Sequence, residues 1–419
     1  MVSQPIGSKS RNDQGQMAWH VAILGVIAAV LPVLVFSREA APLLCVLLLG
    51  TLVGTSFARG DTDEAVATLC RWLGRPETRV LIAALALLSL SAMWSPATNG
   101  GAVHAFRVVM AALLIGTLLA FSSITRVTNL DRALAFSLAA GAGLLLVNFL
   151  LVDGETRRWI GLFPEVWRMN RAVVAIVLFA PLTLLLAWRS SRMRAAALAG
   201  VCLPAVFLSQ SESAQLAVIV AAAVWAASTL NPIIVHRLVG TAMVTAVLVM
   251  PFVVRFANDI VPAALHDKVG YGTLTVRGEI WTAFADLVPE RPLLGYGVEA
   301  SSIIAQTQTA VSLPENVRNL LAFAHPHNAP LQVWFELGFV GALFAAVLVI
   351  FALRALERLP AERLGVATAT AAAAFTISSV SHGAWQSWWF CLIGLVAAAY
   401  LMLPSRAEDD DGLSRTISS

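Results

Sequence analysis

Apolar stretches of roughly 20 residues, separated by short polar or basic breaks, recur along almost the whole chain, and that is the length a helix needs to cross a hydrocarbon core about 30 Å thick. No apolar/polar alternation of the kind that marks a membrane barrel interrupts them. The pattern predicts twelve spans: Met17–Phe36, Ala41–Phe57, Val80–Pro96, Ala105–Phe121, Ala133–Val152, Arg171–Trp188, Ala195–Leu208, Ala214–Leu230, Ile234–Phe256, Ala329–Leu353, Gly365–Val380 and Trp385–Leu403. The first follows Lys9 and Arg11 as a signal peptide would, but it is long and no small-x-small site closes it, so it reads as a retained signal anchor. The expected fold class is an all-α integral membrane protein of about twelve transmembrane helices. Its predicted parts are an N-terminal tail over residues 1–16, spans 1–9 over 17–256, a long loop over 257–328 between spans 9 and 10, spans 10–12 over 329–404, and a disordered tail over 405–419.

Composition agrees. Of 419 residues, 58% are hydrophobic and only 13% charged, about half the charge of an ordinary water-soluble protein. Nothing here suits a nucleic-acid binder. Cys45, Cys202 and Cys391 sit in apolar runs and Cys70 in a short polar loop, with no paired spacing, so neither a disulfide framework nor a zinc site is indicated.

An even number of spans puts both termini on one side, and the short-loop arginines choose the cytoplasm for them. Basic residues on the opposite side are then nearly confined to two segments, Asp153–Arg171 and Ala257–Asn328. The second is long enough to translocate regardless of charge. The first, GETRRWIGLFPEVWRMNR, mixes four arginines with Trp159 and Trp167 and suits an amphipathic strip at headgroup level, where arginine can hold phosphate. Within the second, RGEIWTAFADLVPERP spaces Ile280, Trp281, Phe284, Leu287 and Val288 as a helix does before Pro289 and Pro292 end it, so a short amphipathic helix begins beside Arg277. PLLGYG has turn chemistry, and Ser301–Leu320 reads as a mobile, partly helical stretch.

The chemistry gathers at FAHPHNAPLQVWFELGFVGALF, residues 323–344. Asn328 suits the N-cap of the helix starting at Ala329, and Pro330 suits its first turn. His327 would then lie just outside the positive end of the helix dipole, which favours neutral imidazole, the state of a general base. Pro326 is expected to turn His325 away on a less constrained segment. Asn328, Gln332 and Glu336 recur every four residues, a polar stripe running roughly 12 Å into the helix; for Gln332 and Glu336, polar packing is the preferred reading. Two histidines without a third ligand nearby are weak grounds for a metal.

RGEIW, then ERPLLGYG, then the long outer loop, then HPHN and ELGFVG resemble the signature region of the O-antigen ligase and O-antigen polymerase superfamily of bacterial membrane glycosyltransferases. These motifs cover only Arg277 to Gly341, though the twelve-span layout is similar too. The resemblance implies that His327 is the catalytic base or an acceptor-positioning group and that Arg277 grips the donor diphosphate, with His325, Asn328, Glu336 and Trp281 in support. Where the family carries a Ser-Arg pair, this chain reads LSQSESAQLA with Glu212 in the arginine's place, leaving Arg171 or Arg168 as the second phosphate contact and Glu212 as a candidate carboxylate or a plain loop residue. The reaction implied moves a glycan from undecaprenyl diphosphate to a sugar hydroxyl, on lipid A-core for a ligase or on a growing carrier-linked glycan for a polymerase. It needs no metal or other cofactor and inverts the anomeric centre. The resemblance further implies a bacterial inner-membrane protein among bilayer lipids, with its active site facing the periplasm. A lipid-linked glycan flippase is a rival from another class, and it would not need a base and an arginine gathered in one outer loop; a membrane sensor or scaffold is a third, and it would leave the histidines as ordinary surface residues.

Overall fold

A computed structural model describes residues 7–37, 39–152, 155, 165–260 and 274–403. Arg157, Arg158, Trp159 and the C-terminal tail lie outside these. Among the described residues the regular secondary structure is all helix, with no strand. The α-helices are α1 Gly7–Phe36, α2 Ala41–Arg59, α3 Thr62–Leu73, α4 Pro76–Ser91, α5 Thr98–Ile124, α6 Leu130–Leu151, α7 Asn170–Ser190, α8 Arg192–Phe207, α9 Glu212–Ser228, α10 Pro232–Ile260, α11 Leu274–Leu287, α12 Gln308–Val311, α13 Glu315–Leu321, α14 Ala329–Leu356, α15 Ala361–Val380 and α16 Ser387–Met402.

Every predicted span falls on a helix, but among the described residues eight helices are long and apolar enough to cross a membrane. The other four, α4, α8, α9 and α16, have 16, 16, 17 and 16 residues. At about 1.5 Å per residue they reach roughly 24–26 Å, short of a ~30 Å hydrocarbon core. The protein is a multi-pass, all-α membrane protein.

The chain divides into two compact units. The first comprises Met1–Gly74, Ala111–Gln215 and Trp388–Ser419. In it α1 packs on α2 and α6, and α6, α7 and α8 pack on one another. Helix α7 is buried nearly all round, from Ala172 to Phe179 without a break, as its unbroken apolar sequence requires.

The second unit comprises Arg75–Met110 and Leu216–Ser387. Helix α10 packs on α11, α14 and α15, and α14 also packs on α4 and α15. The loop before α14 is folded rather than loose. Ile304, Ala310 and Leu321 are buried in one core with Phe284 and Phe335, and the Phe284 and Phe335 rings meet edge to face at 5.0 Å. The expected mobility of Ser301–Leu320 is therefore corrected. Its scattered apolar residues have no single period because they lie on several short helical turns that each contribute one anchor.

Two glycines decide how that loop meets α14. Gly338 has φ 64° and ψ −160°, which breaks the helix in its interior. The two hydrogen bonds an intact helix would make from Phe339 and Val340 to Phe335 and Glu336 are replaced. Phe339 and Val340 N–H donate to the carbonyls of Pro292 and Leu293 at 2.8 and 3.2 Å, while Tyr296 and Gly297 N–H donate to those of Phe335 and Glu336 at 3.0 and 2.7 Å. A Cβ at Gly295 would strike the Glu336 carbonyl and one at Gly338 the Leu293 carbonyl. PLLGYG and ELGFVG are thus two halves of one backbone junction. Broken helices at membrane depth are tolerated where the freed groups find protein partners in this way.

Candidate functional site

His327 and Arg277 come together at the C-terminus of α15. A helix end leaves its last carbonyls without intrahelical partners and carries partial negative charge. Arg277 Nη1, from the first turn of α11, donates to the Val380 carbonyl at 3.0 Å. His327 Nδ1 lies 3.1 Å from the Ser381 carbonyl. A carbonyl only accepts, so the ring proton is on Nδ1 and Nε2 presents its lone pair. His327 itself sits at φ 52°, a conformation that costs a non-glycine residue about 1–3 kcal/mol and clusters at functional sites.

His325 is not turned away. Its Nδ1 accepts the His327 backbone N–H at 3.1 Å, and the two rings lie 4.1 Å apart. Positive φ at both Ala324 (68°) and His327 (52°) folds the segment back on itself, which the extended bias of a residue preceding proline did not reveal. His325 therefore carries its proton on Nε2, the opposite tautomer to His327. Among the described residues, His327 Nε2 is the one of the four ring nitrogens whose lone pair is uncommitted, which suits a base better than a chelating pair.

Burial pushes the His327 pKa below the usual histidine value; its bond to Ser381 opposes this and the Arg277 charge adds to it. Burial, then the neighbouring His327, takes His325 down to about 3. Both are neutral near pH 7. Sequence reasoning reached the same state for His327 from the helix dipole, whereas burial is the leading cause. Asn328 does cap α14, its Oδ1 accepting the Leu331 N–H at 3.0 Å.

Beneath the cap, Glu336 is completely buried and every partner it has there is a donor. Oε2 accepts Glu299 N–H at 2.8 Å and Trp385 Nε1–H at 2.6 Å. Oε1 accepts Ser301 N–H at 3.3 Å, Gln332 Nε2–H at 2.9 Å and the Ser301 hydroxyl. That set complements an acceptor-only carboxylate. Gln332 Oε1 in turn accepts the Ala384 N–H at 2.8 Å. The stripe read as polar packing is thus the clamp that fixes the Ser381–Trp385 segment, and with it the carbonyl that sets the His327 tautomer.

Sequence reasoning missed His104 and Glu299. Their side chains meet at 3.0 Å between Nδ1 and Oε2, and burial raises the Glu299 pKa. Glu299 has φ 65°, and its own N–H is on Glu336. The two residues lie 195 positions apart in a sequence with no shared motif, so only the fold pairs them. Trp281, one turn after Arg277 on α11, has its indole N–H buried without a hydrogen-bond partner among the described residues.

Arg171, Arg168 and Glu212 belong to the first unit. The Arg171 guanidinium is bonded to Glu39 and lies 4.3 Å over the Trp388 ring. Arg168 pairs with Glu165 at 3.0 Å and lies 5.1 Å from the centre of the Trp167 ring. Glu212 opens α9, where a negative charge complements the helix dipole.

Residues 196–346 match the family described as O-Antigen ligase. Similar proteins include one named "Putative polysaccharide ligase" from Rickettsia conorii, 27% identical over 159 residues, which are 37% of this chain and 38% of that relative. Proteins of the same description from Rickettsia prowazekii and Rickettsia felis are 27% and 26% identical over the same lengths. The chain thus covers about 38% of the length of these relatives.

Proposed function

We propose, for a chain that belongs over residues 196–346 to the O-antigen ligase superfamily, that it transfers a glycan from undecaprenyl diphosphate to a sugar hydroxyl of lipid A-core at the periplasmic face of the bacterial inner membrane. The observation that carries this reading is the His327 Nδ1–H bond to Ser381 beside an arginine on the same helix end. It leaves a neutral Nε2 lone pair next to a cation. The acceptor hydroxyl gives its proton to His327 Nε2 while its oxygen attacks the anomeric carbon. The bond from that carbon to the phosphate oxygen breaks, and the electron pair leaves on the diphosphate. Arg277 neutralises the developing charge, aided by Arg171 or Arg168 where the donor reaches them. Attack opposite the leaving group inverts the anomeric centre. His327 as base is worth about 10²–10⁴-fold.

A polymerase that extends another carrier-linked glycan shares every one of these steps and differs only in acceptor. Reconstitution in vesicles with carrier-linked glycan and each acceptor in turn tests both. Transfer to lipid A-core supports the ligase, transfer only to carrier-linked glycan supports the polymerase, and movement of donor across the bilayer without transfer would favour a flippase.

A further inference from the structure

We propose a structural phospholipid site in the first unit, at the ends of α6, α7 and α8, that takes an anionic phospholipid from the bilayer. A cavity of about 310 Å³ opens there among these three helices. Its lining has a simple order. On α6 Arg132, Ala135 and Ala139 line it, beside Asp131; on α8 Arg194, Ala197 and Val201 do, beside Leu198. Both sets follow i, i+3, i+7, one face of a helix. Each begins with an arginine and continues with small apolar residues for roughly 10 Å at ~1.5 Å per residue. Two cationic heads over two apolar walls match an amphiphile with a negative headgroup and an acyl chain. A small soluble anion would leave the alanine walls unused, and a neutral alkyl chain would leave the arginines unused.

Two further observations fix the depth and the sign of charge. Trp188, near the C-terminus of α7, is 54% exposed with the Arg192 guanidinium 5.3 Å from its ring centre. Exposed tryptophan beside arginine marks headgroup level. Around the mouth stand Arg132 and Arg194, against one carboxylate, Asp131, among the described lining residues. Arg194 is already directed along this rim by its bond to Ser190 Oγ at 2.9 Å. The basic excess selects a net-negative headgroup over a zwitterionic one. The bias of arginines in short loops assigns this end to the cytoplasmic leaflet, and none of the residues given to the proposed chemistry lines the cavity.

The test uses the full-length protein, delipidated in detergent and returned to phosphatidylglycerol, phosphatidylethanolamine or phosphatidylcholine, with bound lipid counted by native mass spectrometry. Wild type should retain phosphatidylglycerol about tenfold better than either other lipid, as expected from juxtamembrane arginines worth about 1 kcal/mol each, reduced by Asp131. Arg132→Ala with Arg194→Ala should abolish that preference. Ala139→Leu, which keeps both arginines and narrows the groove, should lower retention of phosphatidylglycerol and guards against a double variant that fails to fold. Equal retention of all three lipids by wild type, an undiminished preference in the double variant, or unchanged retention in Ala139→Leu would each overturn the proposal.

Discussion

Replacing Glu336 tests the clamp most sharply, and its cost can be worked from the contacts. Of the five donors on its carboxylate, the Ser301 hydroxyl and the Gln332 amide can rotate to other partners. The N–H groups of Glu299 and Ser301 and the indole N–H of Trp385 are fixed by backbone and ring. Glu336→Ala leaves these three donors, one buried and two partly buried, unpaired. At about 1–3 kcal/mol for each orphan the loss is at least about 3 kcal/mol, before any cavity is counted. Glu336→Gln is the finer probe. Whichever way the amide turns, its NH₂ faces two or more donors, so about 2 kcal/mol should be lost although the shape is kept. The assay is equilibrium or thermal unfolding in detergent micelles, with wild type, Glu336→Gln and Glu336→Ala side by side. The expected order is wild type, then glutamine, then alanine. If both variants unfolded within about 0.5 kcal/mol of wild type, the carboxylate would not be clamping the two loops, and the account of how His327 is held would fail with it.

Other consequences can be checked separately. Arg277→Ala and Arg277→Lys should both slow transfer, lysine less, because one ammonium cannot reproduce a bidentate grip on diphosphate; normal donor affinity and turnover in both would move the phosphate site elsewhere. His327→Ala should lower single-turnover transfer by about 10²–10⁴-fold with donor binding kept, and because its pKa is depressed, wild-type activity should hold below pH 6.5 and fall only on further acidification. His325→Ala should slow transfer less, by freeing the His327 N–H. Since the folded pKa of His325 is about 3 against about 6.5 unfolded, the unfolded chain binds the proton first as pH falls. Stability should therefore be lost between about pH 6.5 and 3, and His325→Ala should flatten that part of the unfolding curve. Gly338→Ala should destabilise the protein by well over 1 kcal/mol in the same unfolding assay, because positive φ and the Leu293 carbonyl both exclude a Cβ; a neutral result would refute the broken-helix junction. Single cysteines placed in 153–171 and 257–328 should react with an impermeant reagent applied from outside, and reaction only after the inner membrane is opened would reverse the proposed topology.

Much of this was legible along the chain, because the signals are local. A helix start needs only an asparagine and a proline in the right order, so the Asn328 cap was readable from five residues. The amphipathic spacing of RGEIWTAFADL foretold α11, Leu274–Leu287, with Arg277 near its start. Span lengths were less secure. Hydropathy marks where apolar residues lie but not where a helix ends, and turns at Ala92–Trp94 and Leu208–Ser209 shorten α4 and α8 below the spanning length.

By itself the sequence determined that this protein is a helical membrane protein and that its polar residues collect in one long loop and the helix after it, and it marked His327 and Arg277 as candidates there. Each follows from composition, from 3.6-residue periodicity, or from motifs only a few residues long. Only the tertiary structure decided what holds them. Ser381 and Val380 act through backbone carbonyls, which carry no side-chain signature. Glu336 changes from a glutamate on a stripe into a clamp because partners 37, 35 and 49 positions away converge on it. PLLGYG and ELGFVG become one junction because the helix breaks at Gly338 and exchanges its own hydrogen bonds for those of a distant loop. Long-range pairing of backbone groups is set by where the chain returns in space, and no local pattern of residues encodes that return.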